Sequence, residues 1–328
     1  MRRYLRGVLH PEIYHGFGRK APYFEGWYFK LIDAARNRRL AVIPGIFIAE
    51  GDDKGNHAFI QILDGMTGRA SYHTYPSEAF VPAHETFDVR VGNSRFTSES
   101  IALDIDTPEG RVQGEIQFNQ RALFPSNLWM PGIMGPFAWI PAMECYHGLI
   151  SLDHHLDGTL TVDGEAWDFS GGRGYIEKDW GTNFPSAYIW MQSNHFTTAG
   201  TSLSASVAMI PLYGLKFPGF IIALWHEGRL YRWATYTGAK INRLVLSDRH
   251  VTWQVSGGGF TLTMEAERGS GGLLKAPIRT EMHKRVDETM QSTVKVTLTD
   301  KSGRVIWEDS GDCTALEVHG QTEKLVTG

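Results

Sequence analysis

The chain has 328 residues, with 32 Lys and Arg against 36 Asp and Glu, a net charge of −4. That mild acidity lacks the basic stripe a nucleic-acid partner requires, and 42% hydrophobic with 21% charged residues excludes a disordered chain. Two cysteines, Cys145 and Cys313, supply neither a disulfide framework nor a cysteine-built zinc site.

From the N-terminus, Met1–His10 carries three arginines but no apolar core of about 7–15 residues, so it does not read as a secretory signal. No uninterrupted apolar run reaches about 18 residues, so no membrane span is expected and the protein is placed in the cytoplasm. The first chemistry-bearing segment is Tyr23–Lys30, reading YFEGWYFK. On a strand, Glu25, Trp27 and Phe29 share one face, while Phe24, Tyr28 and Lys30 share the other. A carboxylate among so many rings is either hydrogen-bonded structurally or held with a raised pKa.

Short alternating strands follow at Leu40–Ala49, His57–Leu63, Ser100–Ile105, Arg111–Phe118 and Thr159–Val162, bounded by Gly, Asn and Asp turns. Pro44 makes the first an edge strand or a kinked one. Arg121–Met143 breaks the rhythm, because Pro125, Pro131, Pro136 and Pro141 forbid a continuous helix or central strand. Its apolar residues read either as a loop pinned across a barrel end or as a lid that touches membrane. Glu144 and His147 have Glu-x-x-His spacing, but that spacing converges on a helix and this region reads as strand and loop. With no matching ligands beside His154 and His155, no metal is expected. No Gly-rich phosphate loop and no Gly-x-Ser-x-Gly elbow occur, so nucleotide and serine-hydrolase chemistry are unsupported.

Gly174–Gly181 reads GYIEKDWG, and alternation places Tyr175, Glu177 and Asp179 on one face. Carboxylates roughly 6–7 Å apart resist ionising together, which keeps one neutral and ready to act as a general acid. Alternatively, Lys178 neutralises one acid in a charged turn. In Tyr188–Phe196, Tyr188, Trp190, Gln192, Asn194 and Phe196 share a face that suits a large substrate with one polar head if it points inward. Pointing outward, it is a solvent face. Further strands are read at Ser202–Ile210, Gly219–Trp225, Arg229–Tyr236, Val251–Val255, Phe260–Ala266, Thr293–Thr299 and Arg304–Asp309. Turn signals every 8–12 residues or so belong to antiparallel sandwiches and barrels. The expected fold is all-β with few helices, in two tandem barrel or sandwich units covering residues 1–185 and 186–328.

At these segments the sequence resembles the tocopherol cyclase family. The resemblance rests on Phe24–Phe29, Tyr175–Gly181, Phe184-Pro185, Trp190–Phe196, Leu274–Pro277 and Ala315–Val318 taken together. It implies two lipocalin-like β-barrels, as in the related carotenoid hydratases. It also implies cyclisation of a prenylated hydroquinone to a chromanol with neither metal nor redox cofactor. An acid protonates a trisubstituted alkene, and the phenol oxygen captures the tertiary cation in an aromatic-lined, dry cavity. Glu177 matches the general acid and Tyr175 its positioning or relay partner. Asp179 stands where plant members carry Asn and so tunes Glu177. Glu25, Trp27, Tyr28, Glu144, His147, Trp190, Gln192 and Asn194 are expected to bind substrate, with Trp27, Trp190 and the Pro-rich segment lining one cavity. The partner is then a lipophilic small molecule, with peripheral membrane contact and no nucleic acid. Capture of the cation by water (a hydratase) and a non-catalytic lipophile carrier are the alternatives.

Overall fold

The computed structural model describes residues 2–51, 55–141 and 143–326. The chain forms two large antiparallel sheets. It divides into two compact units: Met1–Phe184 with Leu273–Arg285, and Pro185–Gly272 with Val286–Gly328.

Unit 1 begins with a short helix, α1 (Arg2–Leu9), followed by β1 (Tyr23–Ile32), β2 (Arg39–Ile48), β3 (His57–Asp64), β4 (Ala70–Tyr75), β5 (Phe80–Pro82) and β6 (Asp88–Val91). Then come β7 (Ser94–Thr97), β8 (Ser100–Thr107), β9 (Gly110–Asn119), β10 (Cys145–Val162), β11 (Glu165–Asp168) and β12 (Arg173–Gly181). Their order across the sheet is β4-β3-β2-β1-β12-β10-β9-β8-β7-β6-β5, with β11 paired to β10. Alternate residues such as Trp27, Phe29, Leu31, Ile60, Leu103, Ile116 and Ile176 meet in one core. Each such side chain contributes roughly 1.5–3 kcal/mol by leaving water.

Unit 2 contains β13 (Ala187–Ser193), β14 (His195–Phe196), β15 (Ser202–Leu212), β16 (Leu215–His226), β17 (Arg229–Ala234) and β18 (Lys240–Leu246). β19 (His250–Gly257) and β20 (Phe260–Glu267) come next; β21 (Gly272–Ile278) and the first residues of β22 (Glu281–Asp300) fall almost wholly in the unit-1 excursion, and the rest of β22 and β23 (Val305–Gly320) complete unit 2. The sheet order is β17-β16-β15-β13-β23-β22-β20-β19-β18. Ile189, Met191, Leu203, Val207, Ile222, Val296 and Leu298 fill its core. The all-β architecture of two antiparallel sheets is the one the strand pattern implies, and its lipocalin-like form is the one the family resemblance implies.

The excursion Leu273–Arg285 belongs to unit 1, where Lys275 N–H donates to Gln61 Oε1 at 2.8 Å and Gln61 Nε2 donates to Lys275 O at 3.2 Å. Pro44 does not mark an edge, because β2 lies between β1 and β3. The β1–β2 pairing instead skips from Gly26–Gly45 to Phe29–Val42, so the ladder opens where proline has no N–H to give. β10 and β22 run 18 and 20 residues, far beyond the short segments read within them. In β10 the residues Asp153, His154 and His155 interrupt the hydrophobic alternation without ending the strand.

Candidate active site

β12 lies between β1 and β10, and the registers on its two sides assemble the site. Glu177 is opposite Tyr28 on β1 and Leu149 on β10, while Asp179 is opposite Gly26 and His147. Directly opposed residues point to the same face of a sheet, so Tyr28, His147, Tyr175, Glu177 and Asp179 share one. That face is turned away from the unit-1 core, because Ile176, Trp27 and Phe29 occupy the other. Gly181 closes the motif for a steric reason. A Cβ there would stand 2.2 Å from the Glu144 carbonyl oxygen.

Tyr175 and Glu177 are both buried. The Tyr175 hydroxyl donates to Glu177 Oε2 at 2.5 Å. His147 sits between the acids, with Nδ1 2.9 Å from Asp179 Oδ1 and Nε2 3.5 Å from Glu177 Oε2. Burial alone would hold this imidazole below its usual range, but the charges of Glu177 and Asp179 and the Asp179 hydrogen bond lift its pKa to about 9. At neutral pH His147 is therefore an imidazolium. The expectation was of two carboxylates repelling each other until one took a proton. Here a cation separates them and carries that proton.

His147, Glu177 and Asp179 are also donor types that bind divalent ions, their nearest ligand atoms lying within 4.8 Å of one another. The two ring nitrogens, however, face different carboxylates. The Nδ1 contact is a hydrogen bond and the Nε2 contact an ion pair, so the imidazole can also relay a proton between the acids. The convergence arises on adjacent strands, so the Glu-x-x-His spacing plays no part. Glu144 precedes β10, and its Oε1 accepts from Asn183 Nδ2 at 3.3 Å. His154 lies elsewhere on β10, buried and hydrogen-bonded to Ser151 at 2.9 Å; burial drives its pKa to about 3.

Glu25 and Trp27 do not join this cluster. On the core face of β1, Glu25 lies 2.5 Å from Lys178 Nζ with both side chains closed to solvent. Burial penalises the carboxylate, but Lys178 and His15 outweigh that and lower its pKa. Lys178 donates to the carbonyls of Pro11 (3.0 Å) and Ile13, and the backbone N–H of His15 donates to both Glu25 oxygens at 3.0 Å. Burial, then Lys178, lowers the His15 pKa. Its neutral Nδ1 accepts from Lys178 at 2.8 Å while Nε2–H donates to Gly7 O at 2.9 Å. Tyr23 donates to Glu25 as well. Trp27 is fully buried, stacked on Phe87 at 5.4 Å and lying 4.5 Å from the Lys178 ammonium. This cluster ties residues 11–15 across the sheet. Lys178 thus neutralises an acid as a structural pair would, but the acid is Glu25.

In unit 2, Ile189 and Met191 enter the core, and Tyr188, Trp190 and Gln192 take the opposite face of β13, all buried. A solvent-facing row is therefore excluded. Tyr188 donates to Glu317 Oε2 at 2.8 Å, and His195 Nδ1 lies 3.1 Å from Asn194 Oδ1. The strand breaks at Asn194, and Phe196 turns into the core instead of continuing the row. In the Pro-rich segment Ile133 and Met134 are buried, whereas Leu128 and Trp129 are 61% and 88% exposed.

Two contributors were given no role in the sequence. His15 carries no motif. Lys30 was placed on a face with Tyr28, but only the register shows this buried side chain opposite Tyr175.

A probable chloroplastic tocopherol cyclase of Oryza sativa subsp. japonica is 22% identical, and a chloroplastic tocopherol cyclase of Zea mays 28% identical. Both alignments cover 94% of this chain and 77% of the relative. Among solved structures, kievitone hydratase from Nectria haematococca superposes with a TM-score of 0.52 at 13% identity, covering 94% of this chain and 93% of that one. A putative AttH protein from Nitrosomonas europaea gives 0.54 at 14%, covering 95% of each chain; at such identity these two show the fold alone. Among the described residues no helix is long and apolar enough to cross a membrane. The tocopherol cyclase-like family model matches residues 138–320, more than half of the chain and the span that holds His147, Tyr175, Glu177 and Asp179; the chain belongs to that family.

Proposed function

We propose that this protein cyclises a prenylated hydroquinone to a chromanol by proton transfer, without a redox cofactor. The observation that carries the reading is the Tyr175–Glu177–His147–Asp179 row on the face of β12 turned away from the core, with Tyr175 and Glu177 buried and His147 and Asp179 partly so. Glu177 delivers the proton to the trisubstituted alkene, and the proton is stored on His147 before substrate arrives. An apolar substrate that displaces water favours its transfer to Glu177, because imidazolium and carboxylate then become two neutral groups in a low-dielectric site. The alkene takes the proton, leaving a tertiary cation. The phenol oxygen forms the new C–O bond, and its proton returns to the Glu177 carboxylate. Substrate and product are isomers. Tyr175 orients Glu177 through its hydrogen bond, and Asp179 holds His147 in its charged form.

The test is incubation of the full chain with prenylated quinols of several tail lengths in D₂O. The expected product has one deuterium on the former alkene carbon and is otherwise isomeric with the substrate. A deuterated product heavier by one water would assign the hydratase reading, in which water captures the same cation. No conversion of any quinol, with binding retained, would leave a lipophile carrier.

A further inference from the structure

Beside β12, unit 1 contains a cavity of about 360 Å³ between α1, residues 11–19 and the Pro-rich segment, with His147 among its lining residues. Its size falls in the rough 300–1,000 Å³ range of small-molecule sites. The floor is a three-ring stack: His15 lies 4.3 Å from Trp180 at 6°, and Tyr146 lies 5.3 Å from Trp180 at 8°. Ile13, Phe17, Met134 and Ala138 add apolar wall.

The polar lining carries one sign of charge. Arg3, Arg6 and Arg19 line the cavity, and none of its lining residues is acidic. In the same unit Arg38, Arg69, Arg95, Arg111, Arg121 and Arg173 each meet a carboxylate. Among the described residues Arg3, Arg6 and Arg19 form no such pair. Arg3 lies with its guanidinium 4.3 Å over Phe17, which leaves the N–H edge free. Arg6 donates one amino group to the Glu85 carbonyl, while its Nε is buried without a partner. A buried, unanswered donor costs about 1–3 kcal/mol. Three unpaired guanidinium groups on a chain of net charge −4 make a local site for an anion.

We infer that this cavity binds an amphiphile, with a carboxylate or phosphate head held by Arg3, Arg6 and Arg19 and an apolar body over the Tyr146–Trp180–His15 stack. The inference does not rest on the proposed cyclisation, although His147 lines this cavity as well. Monomeric dodecyl phosphate and dodecanoate are titrated into the full chain by calorimetry, beside dodecanol, inorganic phosphate, and vesicles of phosphatidylcholine with or without phosphatidylglycerol. Both charged amphiphiles should bind at least tenfold more tightly than dodecanol or inorganic phosphate. Replacing all three arginines by Gln (R3Q, R6Q, R19Q) should remove that preference and leave dodecanol binding unchanged. Ala138→Trp should fill the cavity and weaken every amphiphile. Equal affinity for dodecanol and dodecyl phosphate overturns the inference, as does a triple variant that binds like the parent. Binding to phosphatidylglycerol vesicles without uptake of monomeric amphiphile also overturns it and assigns the arginines to a bilayer surface.

Discussion

On one face of β12, Lys178 meets Glu25 inside the core of unit 1, and on the other Glu177 and Asp179 share His147. Both clusters combine carboxylate, imidazole and a tyrosine hydroxyl, on consecutive residues of one strand. They differ in balance. With His15 neutral, Glu25 and Lys178 cancel; Lys178 also donates to the carbonyls of Pro11 and Ile13, and Glu25 accepts from the backbone N–H of His15. Glu177 and Asp179 flank one imidazolium, with Lys30 opposite Tyr175 on the same face, and one proton can move between His147 and the two acids. A neutral, saturated cluster is suited to holding the chain. A cluster that keeps an exchangeable proton beside a buried tyrosine is suited to moving it.

The largest separation between the two faces should appear in turnover. Glu177→Gln keeps the volume and can still accept from Tyr175, but it cannot donate an acidic proton, so the rate of cyclisation should fall by roughly 10²–10⁴-fold. Thermal unfolding should shift only by the part of the His147 stabilisation that Glu177 supplies, since Asp179 keeps its hydrogen bond to the ring. A variant with parental turnover would remove Glu177 from the reaction.

On the core face the same kind of change should act on stability. Lys178→Met strands the buried Glu25 carboxylate and should cost about 3–5 kcal/mol. The paired replacement Glu25→Met, Lys178→Met should recover much of that, because no lone charge remains. Urea unfolding of the three proteins measures it. If the single and double variants were equally destabilised, Lys178 would matter for packing and not for charge.

His147 sharpens the comparison through pH. Its folded pKa of about 9 lies above the unfolded value of 6.5. Its stabilisation is therefore complete below pH 6.5 or so and is lost as pH rises through about 9. The difference caps the contribution at about 3 kcal/mol. His147→Gln should be less stable than the parent at pH 6 and approach it at pH 9.5. Parallel stability curves for the two proteins would contradict the raised pKa.

Much of this was legible in the sequence because strand alternation is local. The period of two places Tyr175, Glu177 and Asp179 together and separates Glu25 and Trp27 from Tyr28 with no knowledge of partners. What alternation cannot supply is the neighbour across the sheet. β1 pairs with β12, some 150 residues away, and that pairing alone brings Glu25 to Lys178 and Tyr28 to Glu177. His147 was noticed for its spacing to Glu144, a helical relation. Its real partners come from antiparallel register with β12. Of the two readings of Pro44, the edge strand fails for a similar reason, since a missing N–H can be absorbed where one ladder opens as well as at an edge.

The smallest expected effect concerns Asp179, whose side chain keeps 29% of its exposure and lies nearest to solvent in the cluster. Asp179→Asn retains an oxygen that can accept from His147 Nδ1, so the ring should keep its orientation. The substitution removes one of the two negative charges that hold the imidazole protonated, and the His147 pKa should fall by about one unit. The Tyr175–Glu177 hydrogen bond does not involve Asp179. Turnover at pH 7 should therefore drop by less than about tenfold, the scale of one pKa unit. The alkaline limb of the rate profile should move toward neutrality by the same amount. NMR titration of the His147 ring in parent and variant gives the shift directly. A loss of rate as deep as that of Glu177→Gln, with the His147 titration unmoved, would make Asp179 the proton donor and reverse the roles of the two acids.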